Sequence, residues 1–266
     1  MHKQSIPIED DPCDVISKAM RGLGVSEQEL ADLADIEPSF VRAVLEGAHR
    51  PDVIEKIASP LELSPTALNG LFSYKPDTHH IENLYVFVSP FGHAGVNSYL
   101  IKHGSKATLI DTGTDAKPIA DFAHNHKLTI SRILITHQHH DHVTGLRDLM
   151  NIPTIYPENT SHGEVIETEG GNITAVDVSG HCTPARAYIF SGLKHKICAV
   201  GDSIFAGSMG GTKATKDYPV ALETARKNIM TLSTDTIICP GHGPLTTVGE
   251  EKMHNPFLNV GLMTGQ

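Results

Sequence analysis

The stretch Thr136-His137-Gln138-His139-His140-Asp141-His142 constrains this chain more than any other. It follows the apolar, β-branched run Ile133-Leu134-Ile135, which reads as a buried strand, and precedes a helix-like run from Val143 to Met150. His137 and His139 are two apart, so in an extended turn their rings converge on one point. Asp141 and His142 lie where the chain turns into the helix and address a second point nearby. Nitrogen and oxygen donors so placed suit a borderline divalent ion such as zinc, or iron or manganese.

A polar loop with chance histidines is the plain alternative, since the chain carries 17 of them. Repetition downstream argues against it. Ile173 to Val178 is strand-like and ends in Ser179-Gly180-His181; Lys196 to Val200 ends in Gly201-Asp202-Ser203. Thr236 to Cys239 ends in Pro240-Gly241-His242-Gly243, and Ala107 to Ile110 ends in Asp111-Thr112-Gly113. Donor-bearing turns at the C-terminal ends of strands are how a sheet-based enzyme presents its site.

A net charge of −10 argues against nonspecific binding to nucleic acid or an anionic membrane. No apolar run approaches the roughly 20 residues a membrane helix needs. The acidic start, with Glu9, Asp10 and Asp11, lacks the pattern of a signal peptide, so the expected location is the cytoplasm. Cys13, Cys182, Cys198 and Cys239 show no CxxC spacing and read as incidental thiols.

Residues 1–13 read as polar and loose, and short helices follow from Asp14 to about Leu71. Ser26 and Glu29 form a capping box, Pro38 opens a helix to Leu45, and Ser64-Pro65 opens the last one. Leu23-Gly24-Val25-Ser26, Glu29-Leu30-Ala31 and Leu45-Glu46-Gly47 resemble a Cro/repressor-type helix-turn-helix. Its charge opposes DNA reading: residues 1–72 hold six Lys and Arg against thirteen Asp and Glu, a balance of −7. A structural, dimerising or substrate-covering role is expected instead, with a homodimer as one form of it. Ser73 to His80 reads as a linker, which divides the chain into a small helical domain, 1–75, and a catalytic domain, 76–266. The loop Ser89 to Gly95 is expected to overhang the site, with His93 exposed. Strand-rich halves with interspersed helices imply two sheets packed face to face, helices outside.

T-H-x-H-x-D-H, followed by G-H, G-D and P-G-H, resembles the metallo-β-lactamase-fold hydrolases. Gly201 to Ser208, Pro240 to Pro244 and Val248 to Lys252 with Asn255 to Leu258 are similar to the glyoxalase-II-like branch. The resemblance covers about residues 80–260 and implies an α+β architecture: an αββα sandwich preceded by a small all-α domain. It further implies that His137, His139 and His181 hold one ion and Asp141, His142 and His242 a second, with Asp202 bridging them. Asp111 would orient a ligand histidine, or simply cap its turn. Two divalent ions, zinc before iron or manganese, would sit about 3.5–4 Å apart and activate a shared water near neutral pH. Asp141 and Asp202 thus carry the catalytic role.

The branch usually reads Gly-Arg-Thr-Asp where this chain has Gly210-Gly211-Thr212-Lys213, and Thr-Pro-Gly where it has Cys182-Thr183-Pro184-Ala185-Arg186. Arg186 and Lys252 are candidates for a substrate carboxylate, with solvated surface charge as the alternative. The implied function is hydrolysis of a small thioester or acyl ester, as by a hydroxyacylglutathione hydrolase. Rivals are a lactonase or a persulfide dioxygenase of the same fold, or a ligand-sensing DNA-binding regulator. The dioxygenase favours a single ion and a missing His142 or His242 role, and this chain has both residues.

Overall fold

The computed structural model describes residues 6–77, 79–92 and 95–259. Helix α1 (Pro12–Leu23) begins where the Asp11 side chain accepts from the Cys13 and Asp14 amides, while Asp14 reaches back to the Asp11 amide. This cap satisfies amides that a first turn leaves bare. Residues 10–13 are therefore less loose than expected, since α1 has started and Asp10 is buried in an ion pair with Lys18, while residues 1–5 lie outside the described residues.

Helix α2 (Glu27–Ala34) opens on the Ser26–Glu29 capping box. Helices α3 (Pro38–Leu45), α4 (Pro51–Ala58) and α5 (Pro65–Gly70) each start on proline, whose missing N–H costs nothing in a first turn. Val41 and Val44 are buried, while Phe40 stays partly exposed with the Arg50 guanidinium 5.0 Å from its ring centre.

Next come β1 (Leu84–Ser89), β2 (Val96–His103), β3 (Lys106–Ile110), α6 (Lys117–Asn125) and β4 (Thr129–Leu134). A short α7 (His140–Val143) leads to β5 (Thr154–Ile155), completing a five-stranded sheet in the order β1-β2-β3-β4-β5. Then follow β6 (Val165–Thr168), β7 (Gly171–Asp177), β8 (Arg186–Phe190), β9 (Ile197–Gly201), α8 (Asp217–Asn228), β10 (Ile237–Pro240), β11 (Thr246–Thr247) and α9 (Val248–His254). The second sheet runs β11-β10-β9-β8-β7-β6.

Alternating side chains sort these sheets into layers. Tyr99, Ile101, Ile110 and Leu134 of the first sheet meet Ala175, Tyr188, Ala199 and Cys239 of the second. The opposite face of the first sheet, with Leu100, Leu109 and Ile133, packs on α6 through Ile119. The outer face of the second, with Val176, Ala187, Cys198 and Val200, packs on α8 through Ala221 and Leu222. The result is the expected αββα sandwich. The apolar sides of α1 to α5 join that last layer, since Val15, Ile54 and Leu68 share one buried cluster with Tyr218 and Phe257.

Residues after α5 run along α9. Tyr74 stacks on His254 with ring centres 4.7 Å apart, and the Asp77 amide donates to Glu250 at 2.7 Å. The helix expected over 143–150 differs: α7 starts at His140 and a 3₁₀ turn spans Thr144–Asp148. Gly145 sets this tighter path. Its amide donates to Gly113 O at 2.9 Å, and a Cβ there would lie 2.4 Å from Thr112 O.

Candidate metal centre

β3 runs parallel to β4, and β9 to β10, so their C-terminal ends lie at one edge of the sandwich. Asp111 follows β3, the His137–His142 turn follows β4, Asp202 follows β9 and His242 follows β10. His181 joins them from the turn after β7. Buried links pin the two sheets together at this edge: Tyr99 OH donates to Pro240 O at 2.6 Å, and Tyr188 OH to Ile135 O at 3.0 Å.

The structure brings together the seven donors singled out in the sequence. His137, His139, His181 and Asp202 offer ligand atoms within 4.8 Å of one another, as do Asp141, His142 and His242. Asp202 lies between the groups. Its Oδ2 is 3.5 Å from both His181 Nε2 and His242 Nε2, and its Oδ1 is 3.2 Å from His142 Nε2. His140, by contrast, is exposed. Gly241 makes the approach possible, because a Cβ there would fall 2.1 Å from Asp202 Oδ1.

Outer partners aim the imidazoles. His181 Nδ1 lies 2.6 Å from Gly211 O, and His242 Nδ1 lies 2.7 Å from Gly95 O. Each carbonyl fixes the proton on Nδ1 and leaves Nε2 facing the cluster. For His142 the partner is Asp111, whose carboxylate also accepts from the Thr136 amide and hydroxyl at 2.8 and 2.7 Å. Asp111 sits at φ 54°, a left-handed conformation that Asp tolerates better than most residues.

The electrostatics are those of donors built for a cation. Burial and the neighbouring His142 hold the His137 pKa well below the usual histidine range. Burial also opposes charge on His142, but Asp202 and Asp111 outweigh it and raise that pKa well above the usual value. His242 is raised to about 10 because hydrogen bonds to Asp141 and Asp202 overcome its burial. Burial would favour protonated Asp202, yet His142 and His242 hold its pKa well below the carboxylate range. His142 Nε2 and Asp202 Oδ1 are nevertheless buried without hydrogen-bond partners, despite their close approach. Opposed lone pairs, a carboxylate between them and two orphaned buried atoms all fit divalent cations.

The two substrate candidates lie outside this cluster. The Arg186 guanidinium is committed to Asp177 at 2.9 Å, to Thr160 O at 2.9 and 3.1 Å and to Ala185 O at 3.0 Å. Lys252 is partly exposed on α9, with no ion-pair partner among the described residues. His93 lies outside the described residues. Two aromatic rings flank His242: Phe205 at 5.6 Å and Phe91 at 5.8 Å between centres. Both lie in stretches the sequence singles out, Phe205 in Gly201 to Ser208 and Phe91 in the loop expected to overhang the site, but no local pattern points to the rings themselves.

Two facing sheets flanked by helices, with a His/Asp cluster at their common edge, define a metal-dependent hydrolase of the metallo-β-lactamase fold. Residues 92–157 match the model of the metallo-beta-lactamase superfamily. Within that class the chain is glyoxalase-II-like. It is 28% identical over 187 residues to the hydroxyacylglutathione hydrolase GloC of Haemophilus influenzae, covering 58% of this chain and 87% of that one. The crystal structure of the BLEG-1 B3 metallo-beta-lactamase shares the fold at a TM-score of 0.58 and 24% identity, over 65% of this chain and 99% of that one. That of TTHA1623 in a di-iron-bound form gives 0.52 and 25%, over 65% and 100%. Among the described residues no helix is long and apolar enough to cross a membrane.

Proposed function

We propose that this chain hydrolyses a small thioester or related acyl ester, using two divalent ions, zinc before iron or manganese. The observation that carries this reading is the position of Asp202, whose Oδ2 lies 3.5 Å from a histidine of each donor group while its Oδ1 lies 3.2 Å from His142. His137, His139 and His181 would hold one ion, Asp141, His142 and His242 the other, and Asp202 both. When bound, such a pair supplies the Lewis acidity that makes water nucleophilic at neutral pH and polarises an acyl carbonyl.

The chain's own residues supply the rest. Asp111 and the carbonyls of Gly95 and Gly211 hold the imidazoles in one tautomer and orientation. Phe91, exposed, gives the His242 side an apolar surface against which an acyl chain can lie, and buried Phe205 backs the imidazole. The serine at Ser203 is no nucleophile: its hydroxyl donates to Val200 O at 2.9 Å, and the turn lacks a G-x-S-x-G elbow. The name of the Haemophilus relative supports a thioester as the first substrate to test. A split into a helical part, 1–75, and a catalytic part, 76–266, is part of this reading.

Elemental analysis and a substrate panel test it. The metal-loaded protein should contain about two ions per chain and should prefer thioesters to lactones and phosphoesters. Asp202→Ala should lose an ion together with turnover. Full occupancy and full turnover in that variant would sink the dinuclear scheme, and a lactone preference would replace the substrate class.

A further inference from the structure

Gly211 has no side chain, and the space beside it is taken from α1. A Cβ on Gly211 would lie 3.5 Å from an Arg21 guanidinium nitrogen and 3.7 Å from the stem of Lys18. Lys18 is locked into the wall: it pairs with buried Asp10, donates to Met209 O at 2.9 Å and sits 5.0 Å from the Phe205 ring centre. Its charge is neutralised where it stands.

Arg21, one turn further along α1, is different. Its side chain is exposed and makes no ion pair or hydrogen bond among the described residues. The same loop carries Lys213, also exposed and without a carboxylate partner among the described residues. Gly211, between them, bonds through its carbonyl to His181 Nδ1. An exposed guanidinium thus lies against the residue that holds His181, and an exposed ammonium two positions further along the same loop, on a chain whose net charge is −10. A guanidinium fork from α1 and an ammonium on the loop it packs against are the groups that bind a carboxylate or phosphate.

We propose that Arg21 and Lys213 form a cationic rim that binds an oxyanion, carboxylate or phosphate, on the leaving half of the acyl substrate. The helical segment thereby contributes a specificity residue to the metal edge of the sandwich. This rests on the acyl-ester reading above and narrows it to substrates with an anionic carrier group.

The full-length, metal-loaded protein and the R21Q, K213Q and double variants are compared on three thioesters: of glutathione, of coenzyme A and of uncharged N-acetylcysteamine. The double variant should lose about ten-fold in kcat/KM on an anionic thioester relative to the uncharged one, chiefly through KM. The free thiol, glutathione or coenzyme A, should bind about ten-fold more weakly by calorimetry, with metal content unchanged. A glutathione-only effect identifies a carboxylate site and a coenzyme A-only effect a phosphate site; either supports the rim. K227Q on α8, remote from the loop, should keep the wild-type ratio. Equal losses on all three thioesters, or unchanged thiol binding in the double variant, overturn the rim. Failure of the wild type to turn over any thioester overturns the acyl-ester reading instead, and thiol calorimetry still decides the rim.

Discussion

Nδ1 of His142 lies 2.9 Å from a carboxylate oxygen of Asp111, and both side chains are buried. The same carboxylate ties down Thr136, the residue before His137. One side chain therefore orients donors in both halves of the cluster. Asp111→Asn keeps a residue that accepts the left-handed backbone but turns one acceptor into a donor facing a donor. Metal affinity should fall by about 10- to 100-fold, as is usual for loss of an outer partner. Metal titration followed by elemental analysis reads this; wild-type affinity would mean that Asp111 only caps its turn.

Glu251 is fully buried on α9 and accepts from Asn255 Nδ2, Thr246 Oγ1 and the Gly207 amide. Burial outweighs these bonds and pushes its pKa from 4.5 up to about 7. A folded-state pKa above the unfolded value gives stability that is fully present below about pH 4.5 and lost as pH rises through about 7. The loss is at most roughly 3 kcal/mol. Denaturant unfolding of wild type and Glu251→Gln across pH 5 to 8 isolates it, because the neutral variant lacks this slope. Parallel pH profiles would refute the assignment.

Gly22 fixes how closely α1 approaches α8. A Cβ there would fall 2.4 Å from the Tyr218 ring, which is itself buried. Gly22→Ala should destabilise the fold by about 1–3 kcal/mol through overpacking, lowering Tm by several degrees. Adding Tyr218→Leu should recover part of that loss, since the two sites share one contact. Strict additivity in the double variant would contradict the close packing.

Duplex DNA should not bind in a salt-sensitive way. The first 72 residues carry a balance of −7, and Arg42, the lone basic residue of α3, reaches Glu27 at 3.3 Å. Phosphate contacts need several free cations. A sequence-selective shift in a gel assay at moderate salt would reverse this reading.

The sequence by itself determined the donors. A strand followed by T-H-x-H-x-D-H is a local pattern, and so are the G-H, G-D and P-G-H turns, since alternation and turn chemistry act over a few residues. It also showed the caps of α2 and α5, which are three-residue relations. What only the tertiary structure decided is which turns share an edge, and how. Asp202 falls between two donor groups because parallel pairing of β9 with β10 and of β3 with β4 brings those strand ends together. Arg186 has the charge to greet a substrate, yet folding spends it on Asp177 and Thr160 O. At Gly211, where the resembling hydrolases carry an arginine, the neighbouring guanidinium comes from Arg21 of α1. No periodicity encodes such a contact, because it depends on how α1 packs against α8 and the loop after β9.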